Sequence, residues 1–538
     1  MSTKIIGNFY SCIVESILTS SITMWKKNAD PEPKADQRIP YEVFSYFSLQ
    51  VRFSSQLSDG ELCAVDARKT RVAQALEQLL GRNVSKSEVP TIAVLGSGGS
   101  LRAMISFLGS MSGFLEAGLL DCVTYLCGVS GSTWAMSSLN ENVEWSNDFA
   151  ATNDEICSNL VNANFDFDDL INILKREEYL LKRLEAAAYK EDYSVTDLWG
   201  TVVSRILGKE YNQKLSKQQD GVMNGQNPYP VYAAINKEYF DCDKKNKHPE
   251  IWFEFTPHEC GFPSYGAFVE TQLFGSKFVG LEITEYHPEP SLYFLQALWG
   301  SAMADLKALE EYFIAADKKW AEECDRPSDE EEHHRAVPGT KFLHMAAKSA
   351  EVITSWKFGT KFNYLYQCKQ FSKPEKKNIF GFLGDTAKKD PKQVGHHAFV
   401  SLVDAGLEIN CAYPLMLRAE RKVDVIISVD FSAGDIFETL VEAKQYAKVN
   451  CLPFPPVKIN NKVPNDCNVY SDPATLTVIH IPLANSVNAN EMDISEFPTE
   501  KLKYNKTEIA KLFMEAKNNI TRNKTKILEE IKKKMHPL

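Results

Sequence analysis

No apolar run in the 538-residue sequence approaches the roughly 20 residues that a bilayer span requires. The stretch from Ile5 to Trp25 comes nearest, but Asn8, Ser11, Glu15 and several more serines interrupt it, so neither a membrane-spanning helix nor a secretory signal is expected. The 12 cysteines, scattered from Cys12 to Cys467, include no C-x-x-C pair and no zinc-like spacing with histidine. They read as reduced thiols, and neither a metal site nor a cofactor is expected. Positive charge is also short: 60 Lys and Arg stand against 71 Asp and Glu, a net charge of -11. Such a surface repels phosphate backbones, which argues against a nucleic-acid binder. Internal repeats and low-complexity tracts are lacking as well. Ser2 after Met1 excludes N-myristoylation, and Lys534-Met535-His536-Pro537-Leu538 is no prenylation box, so any membrane contact is expected to be peripheral.

What is there is ordinary globular material, 44% hydrophobic and 24% charged. Residues 1–40, with Lys26-Lys27-Asn28-Ala29-Asp30-Pro31-Glu32-Pro33, read as an amphipathic extension ahead of a single domain over 41–538. Arg68 to Leu80 has helical spacing, with Gly81 where a C-cap glycine belongs. Two strand-turn-helix units follow. Thr91 to Leu95 runs into Gly96–Ser100 and a helical pattern from Arg102, and Cys122 to Cys127 runs into Gly128-Val129-Ser130-Gly131. Tyr229–Ile235, Val423–Val429 and Leu476–Ile481 supply further strands. Strands alternating with helices imply an α/β fold with three layers, α/β/α, around a mostly parallel central sheet. The acidic stretch Asp317–Arg335 and the lysine-containing stretch Asn378–His397 bracket a helical pattern from Phe342 to Trp356, so a cap or lid insertion is expected over about 303–398.

Three patterns could carry chemistry. Ser130 stands between small residues at a strand-to-helix turn, which allows the strained backbone that projects Oγ and sets helix amides nearby. The strict G-x-S-x-G elbow fails at Ser132. Gly96-Ser97-Gly98-Gly99-Ser100-Leu101-Arg102 opens another helix and forms a nest of N–H groups, an oxyanion hole or a phosphate seat, with Arg102 able to hold a phosphate bidentately. It fails both the dinucleotide fingerprint and the phosphate-loop pattern. Asp404, ending Leu402-Val403-Asp404-Ala405-Gly406, suits a general base, although an aspartate there is commonly only an Asx turn.

These elements, in this order, resemble the cytosolic (group four) phospholipase A2 family, most closely its gamma type. The supporting strings are Leu95–Gly99, Gly131-Ser132-Thr133-Trp134, Trp252–Pro257, Phe274–Phe278, Leu298–Ala302 and Asp430–Asp435, within about 91–437. The resemblance implies a lipid acyl hydrolase with a serine-aspartate dyad: Ser130 as nucleophile, Asp404 as base, amides of Gly98, Gly99 and Ser100 as oxyanion hole, and Arg102 as ligand of the head-group phosphate. It also implies glycerophospholipid and lysophospholipid substrates, a possible transacylase outcome, and a cytoplasmic protein peripherally associated with intracellular membranes. Ser100 departs from the family's G-S-G-G-G-x-R and carries a steric cost if that position needs positive φ.

The calcium-binding C2 module of many family members needs roughly 120 residues, more than precede the first motif, and no aspartate-rich loops appear there, so calcium independence is expected. Residues 501–538 hold 11 Lys and Arg against 4 Glu, a local balance of +7, interleaved with apolar positions. A basic helix over about 505–534 is expected, either lying on an anionic membrane or docked on the core with its lysines in water. Two other functions remain open: a Ser-Asp-His esterase using His480, and a catalytically silent lipid binder of the same fold.

Overall fold

The computed structural model describes residues 50–163, 178–208, 213–242, 247–303, 340–355, 357–368, 394–459 and 463–536. The proposed extension over 1–40 and most of the expected insertion lie outside them. Among the described residues there are fourteen strands: β1 Val51–Phe53, β2 Ile92–Gly96, β3 Tyr125–Gly128, β4 Tyr229–Asn236, β5 Trp252–Phe255, β6 Glu259–Phe262, β7 Ala267–Glu270, β8 Lys277–Val279, β9 Glu282–Glu285, β10 Thr360–Phe362, β11 Phe399–Asp404, β12 Val425–Asp430, β13 Asn468–Tyr470 and β14 Thr477–Pro482. Twelve form one sheet, in the order β1-β7-β6-β5-β4-β3-β2-β12-β14-β13, with β11 also paired to β4 and β10 to β11.

The five central strands, β4-β3-β2-β12-β14, run parallel. Their mostly apolar runs are the reason, since a strand between two helical layers is covered on both faces; every residue of β2, β3, β4, β12 and β14 is buried. Helices cover both faces, as the α/β reading requires. Beyond β4 the sheet continues as antiparallel hairpins through β5, β6, β7 and β1, a flank that the sequence pattern did not announce.

One strand is used three times. β4 pairs with β3 in parallel over Tyr229–Tyr232, with β5 over Tyr232–Ile235, and with β11 antiparallel over Ala234–Asn236. β3 and β11 therefore lie end to end against β4, pointing at each other. Gly128 is level with Tyr232 and Asp404 with Ala234, so the chain leaving β3 and the last residue of β11 converge.

Helix α1, Asp59–Leu80, starts under a Ser58 cap and stops at Gly81, whose φ of 64° is the left-handed C-cap expected there. Helix α2, Ser100–Glu116, is apolar nearly all round because it is sandwiched between the sheet and the C-terminal region. Gly109 makes that possible: a Cβ there would lie 2.2 Å from the Phe513 carbonyl oxygen.

The basic C-terminal stretch is two helices rather than one, Lys506–Arg522 and Lys524–Lys533, broken at Asn523. The first buries Ile509, Leu512, Ala516 and Ile520 against the core, so its apolar stripe is already covered. Lys501, Lys511 and Lys517 pair with Glu508, Glu496 and Glu116 at its surface. Within the expected insertion, Thr340–Thr354 is the helix that the spacing around Phe342–Trp356 implied.

Candidate active site

Ser130 sits where β3 hands over to helix α3, Gly131–Leu139, with φ 51° and ψ -123°, a backbone conformation that non-glycine residues rarely hold. Such strain persists only where surroundings fix it. Here the Thr133 amide donates to the Ser130 carbonyl at 2.9 Å, the Thr133 hydroxyl donates to the same oxygen, and the Ser132 hydroxyl donates to the Ser97 carbonyl at 2.6 Å. The turn is pressed onto the glycine loop: a Cβ on Gly131 would come within 1.8 Å of the Ser100 carbonyl oxygen. Only glycine fits there.

The loop itself runs from the end of β2 into α2. Its Ser97 hydroxyl accepts from the Phe431 amide at 2.7 Å, which ties it to the end of β12. Gly99 has φ 145° and Ser100 φ 54°, so the position where serine replaces a glycine of the resembled motif does require positive φ. The Ser100 hydroxyl is buried and has no hydrogen-bond partner among the described residues. Among the described residues the amides of Gly99 and Ser100 donate to no protein group, whereas the Gly98 amide is committed to the Asn410 carbonyl at 3.1 Å. Gly98 therefore drops out of the expected set of oxyanion donors.

Asp404, fully buried, closes β11. Its amide donates to the Ser301 hydroxyl at 3.0 Å, and its Oδ1 accepts from the Gly406 amide at 2.8 Å in an Asx turn. Oδ2 has no hydrogen-bond partner. Burial pushes this carboxyl up to about 6, against the opposing pull of the Gly406 amide, the Ser130 hydroxyl and the Ala302 amide. The Ser130 hydroxyl thus lies near enough to the carboxyl to stabilise its charged form, although not within the geometry of a formed hydrogen bond.

Arg102 is placed differently from the expectation. It is 1% exposed, with Nε donating to the Phe431 carbonyl at 2.8 Å, Nη1 to the Phe497 carbonyl at 2.5 Å, and both terminal nitrogens to the Thr499 hydroxyl at 3.3 Å. Burial among these neutral acceptors lowers its pKa. The guanidinium is a strut joining α2 to the 431 and 497–499 segments, and a head-group phosphate could reach it only by displacing them. His480 is also remote. It lies mid-strand in β14 opposite Ser428, its Nε2 against the Ile436 carbonyl at 3.1 Å, three strands and so about 14 Å from β3. Burial lowers its pKa.

Sequence reasoning missed Ser301, which anchors the Asp404 backbone, and Asn410, which bonds to Gly98 through both main chain and side chain. Ser301 lies in one of the strings that matched the family, without a role; Asn410 had no signal. Among the described residues no group of three His, Cys, Asp or Glu side chains gathers as a metal site, and no helix is long and apolar enough to cross a membrane.

Comparisons with known proteins bear on the family and the fold. The lysophospholipase catalytic domain model matches residues 92–448. The human cytosolic phospholipase A2 gamma is 32% identical over 90% of this chain and 96% of its own length. The mouse cytosolic phospholipase A2 zeta is also 32% identical, over 87% of this chain, which spans 59% of that longer protein. In structure, human GIVD cytosolic phospholipase A2 superposes with a TM-score of 0.69 at 26% identity, covering 90% of this chain and 68% of that one. A second structure of that protein holds methyl gamma-linolenyl fluorophosphonate.

Proposed function

The chain belongs to the cytosolic phospholipase A2 family, and from that membership together with the site geometry we propose that it is a calcium-independent phospholipase A2 and lysophospholipase working through Ser130 and Asp404. The observation that carries the reading is the convergence of a strained, nearly buried serine with a carboxyl whose pKa burial holds at about 6.

Asp404 Oδ2 takes the hydroxyl proton as Ser130 Oγ bonds to the ester carbonyl carbon. The negative charge that develops on the carbonyl oxygen is met by the Gly99 and Ser100 amides at the start of α2, where the helix dipole adds to them. Collapse breaks the ester C–O bond, and the proton on Asp404 passes to the departing lysophospholipid hydroxyl. Water then attacks the acyl-enzyme and gives its proton to Asp404; the acyl C–Oγ bond breaks, that proton returns to Ser130 Oγ, and the free fatty acid leaves. When a lysophospholipid hydroxyl replaces water, the same steps give transacylation. His480 has no part. Arg102 acts through the loop it braces rather than on the phosphate.

Contact with lipid is peripheral, at a cytoplasmic membrane surface. The docked C-terminal helix, its apolar stripe buried, turns Lys506, Met514 and Arg522 outward to that surface.

The test is release of fatty acid from mixed phospholipid vesicles in EGTA, comparing the protein with Ser130→Ala and Asp404→Ala, alongside labelling by a fluorophosphonate. Activity in chelator that both substitutions abolish, with labelling lost in Ser130→Ala, supports the dyad. A folded protein that neither hydrolyses nor labels would instead favour a silent lipid binder, for which the strain and unpartnered hydroxyl at Ser100 are the structural argument.

A further inference from the structure

Asn410 lies six residues beyond Asp404 and holds Gly98 from both ends. Its main-chain carbonyl accepts the Gly98 amide at 3.1 Å, and its Nδ2 donates to the Gly98 carbonyl at 3.3 Å. The same Nδ2 donates to the Ser432 hydroxyl at 2.9 Å, which fixes which face of the side-chain amide is turned to the loop. Its Oδ1 lies 2.4 Å from where a Cβ on Gly98 would stand and 3.0 Å from where one on Gly406 would stand. A Cβ on Gly98 would itself be 3.0 Å from the Ser130 Cβ. One side chain is thus wedged between the glycine loop, the Asp404 turn and the loop after β12, beside the nucleophile.

The peptide plane explains what this grip does. In a trans peptide the carbonyl of one residue and the amide of the next lie in one plane and point in opposite directions. Holding the Gly98 carbonyl toward Asn410 therefore turns the Gly99 amide away from it, and that amide has no protein acceptor. A Gly-Gly linkage has little intrinsic preference between its two orientations, because neither residue carries a Cβ to oppose a flip. If the plane turned over, a carbonyl oxygen would replace the amide hydrogen and repel developing negative charge.

We propose that Asn410 is a positioning residue for the oxyanion site, its side-chain amide locking the Gly98–Gly99 peptide so that the Gly99 N–H stays available to the tetrahedral intermediate. The proposal rests on the dyad reading given above. Because the main-chain carbonyl of residue 410 survives any substitution, side-chain variants isolate the lock. Asn410→Ala removes the donor, and Asn410→Asp keeps the shape while placing an acceptor against the Gly98 carbonyl.

Losing a complete oxyanion donor costs about 100- to 1,000-fold in kcat. A donor that is misoriented for part of the time should cost roughly 10- to 100-fold. Both variants are expected to lower kcat for vesicle hydrolysis by that factor while leaving KM within about twofold, since the ground-state carbonyl draws little on the hole. Fluorophosphonate labelling of Ser130 should slow in parallel. Thermal midpoints are measured together with the rates, and Asn410→Asp keeps the test valid if the alanine variant unfolds. The proposal is overturned if both folded variants keep kcat and labelling rate within twofold, or if the loss appears only in KM. Should the unmodified protein neither hydrolyse nor label at Ser130, the dyad reading fails and takes the proposal with it. Normal wild-type activity with unaffected variants sinks the positioning role alone.

Discussion

Asp404→Asn should make the protein more stable at the pH where it makes it inactive. The carboxyl is fully buried and its pKa stands at about 6, against 3.8 for an aspartate in the open. The folded state binds this proton more tightly than the unfolded chain does. The stability belonging to the protonated form is therefore fully present below 3.8 and is lost as pH rises through about 6. A gap of roughly two units corresponds to about 3 kcal/mol at pH 8, and about half of that has been lost by pH 5. Asparagine mimics the protonated carboxyl at all pH values: its Oδ1 can still accept the Gly406 amide, and its Nδ2 can donate toward Ser130. For a chain of this length, an unfolding entropy near 2.1 cal/mol/K per residue makes each kcal/mol worth about 1 °C. Differential scanning fluorimetry between pH 5 and pH 8 should show the variant's advantage growing from about 1–2 °C to about 3 °C, with fatty-acid release abolished throughout. An advantage that does not change with pH, or a variant less stable than the parent at pH 8, would refute the claim that a charged carboxylate is held there against its solvation.

Ser100→Gly should raise the thermal midpoint by about 1–3 °C, since it relieves roughly 1–2 kcal/mol of left-handed strain and removes a buried unpartnered hydroxyl. Ser100→Ala, which keeps the strain, should gain less, and an alanine variant at least as stable as the glycine one would contradict this account. Arg102→Ala should lower stability by roughly 2–4 kcal/mol by orphaning the Phe431 and Phe497 carbonyls. Its activity should fall equally on a phospholipid and on a monoacylglycerol; a loss confined to the phospholipid would restore Arg102 as a phosphate ligand. Gly109→Ala should cost about 1–3 kcal/mol, because the added methyl would meet the Phe513 carbonyl at 2.2 Å and push away the C-terminal helix. Calorimetry reads that directly, and an unchanged midpoint would mean that the helix contact is loose.

What was legible in the sequence was local. The parallel central strands are mostly apolar runs, and the turn at Ser130 declares itself by small residues between a strand and a helix. The steric question at Ser100 could be posed from a single substitution in a glycine loop, and φ 54° answers it. What was not legible depends on partners far away in the chain. Arg102 looks like a phosphate ligand until Phe497 and Thr499 close over it, and Gly98 looks like a donor until the Asn410 carbonyl takes its hydrogen. The basic C-terminal stretch could lie on a membrane or on the core, and the close approach that Gly109 and Gly113 permit, with the burial of Ile509, Leu512 and Ile520, selects the core. The antiparallel flank is made of short strands whose pairing depends on turns rather than on periodicity.

The end-to-end meeting of β3 and β11 along β4 bears on when hydrolytic power first appears. Ser130 and Asp404 come from chain segments that never pair with each other and are about 270 residues apart, so bringing them together requires long-range sheet pairing. A chain still emerging from the ribosome can complete β2, β3 and β4 and display its serine turn, yet it has no base. Only when the C-terminal half has added β11 to the free length of β4 do the two side chains meet. On the dyad reading proposed above, the nascent protein would lack hydrolytic power until then, and its first appearance would report that β11 has closed on β4.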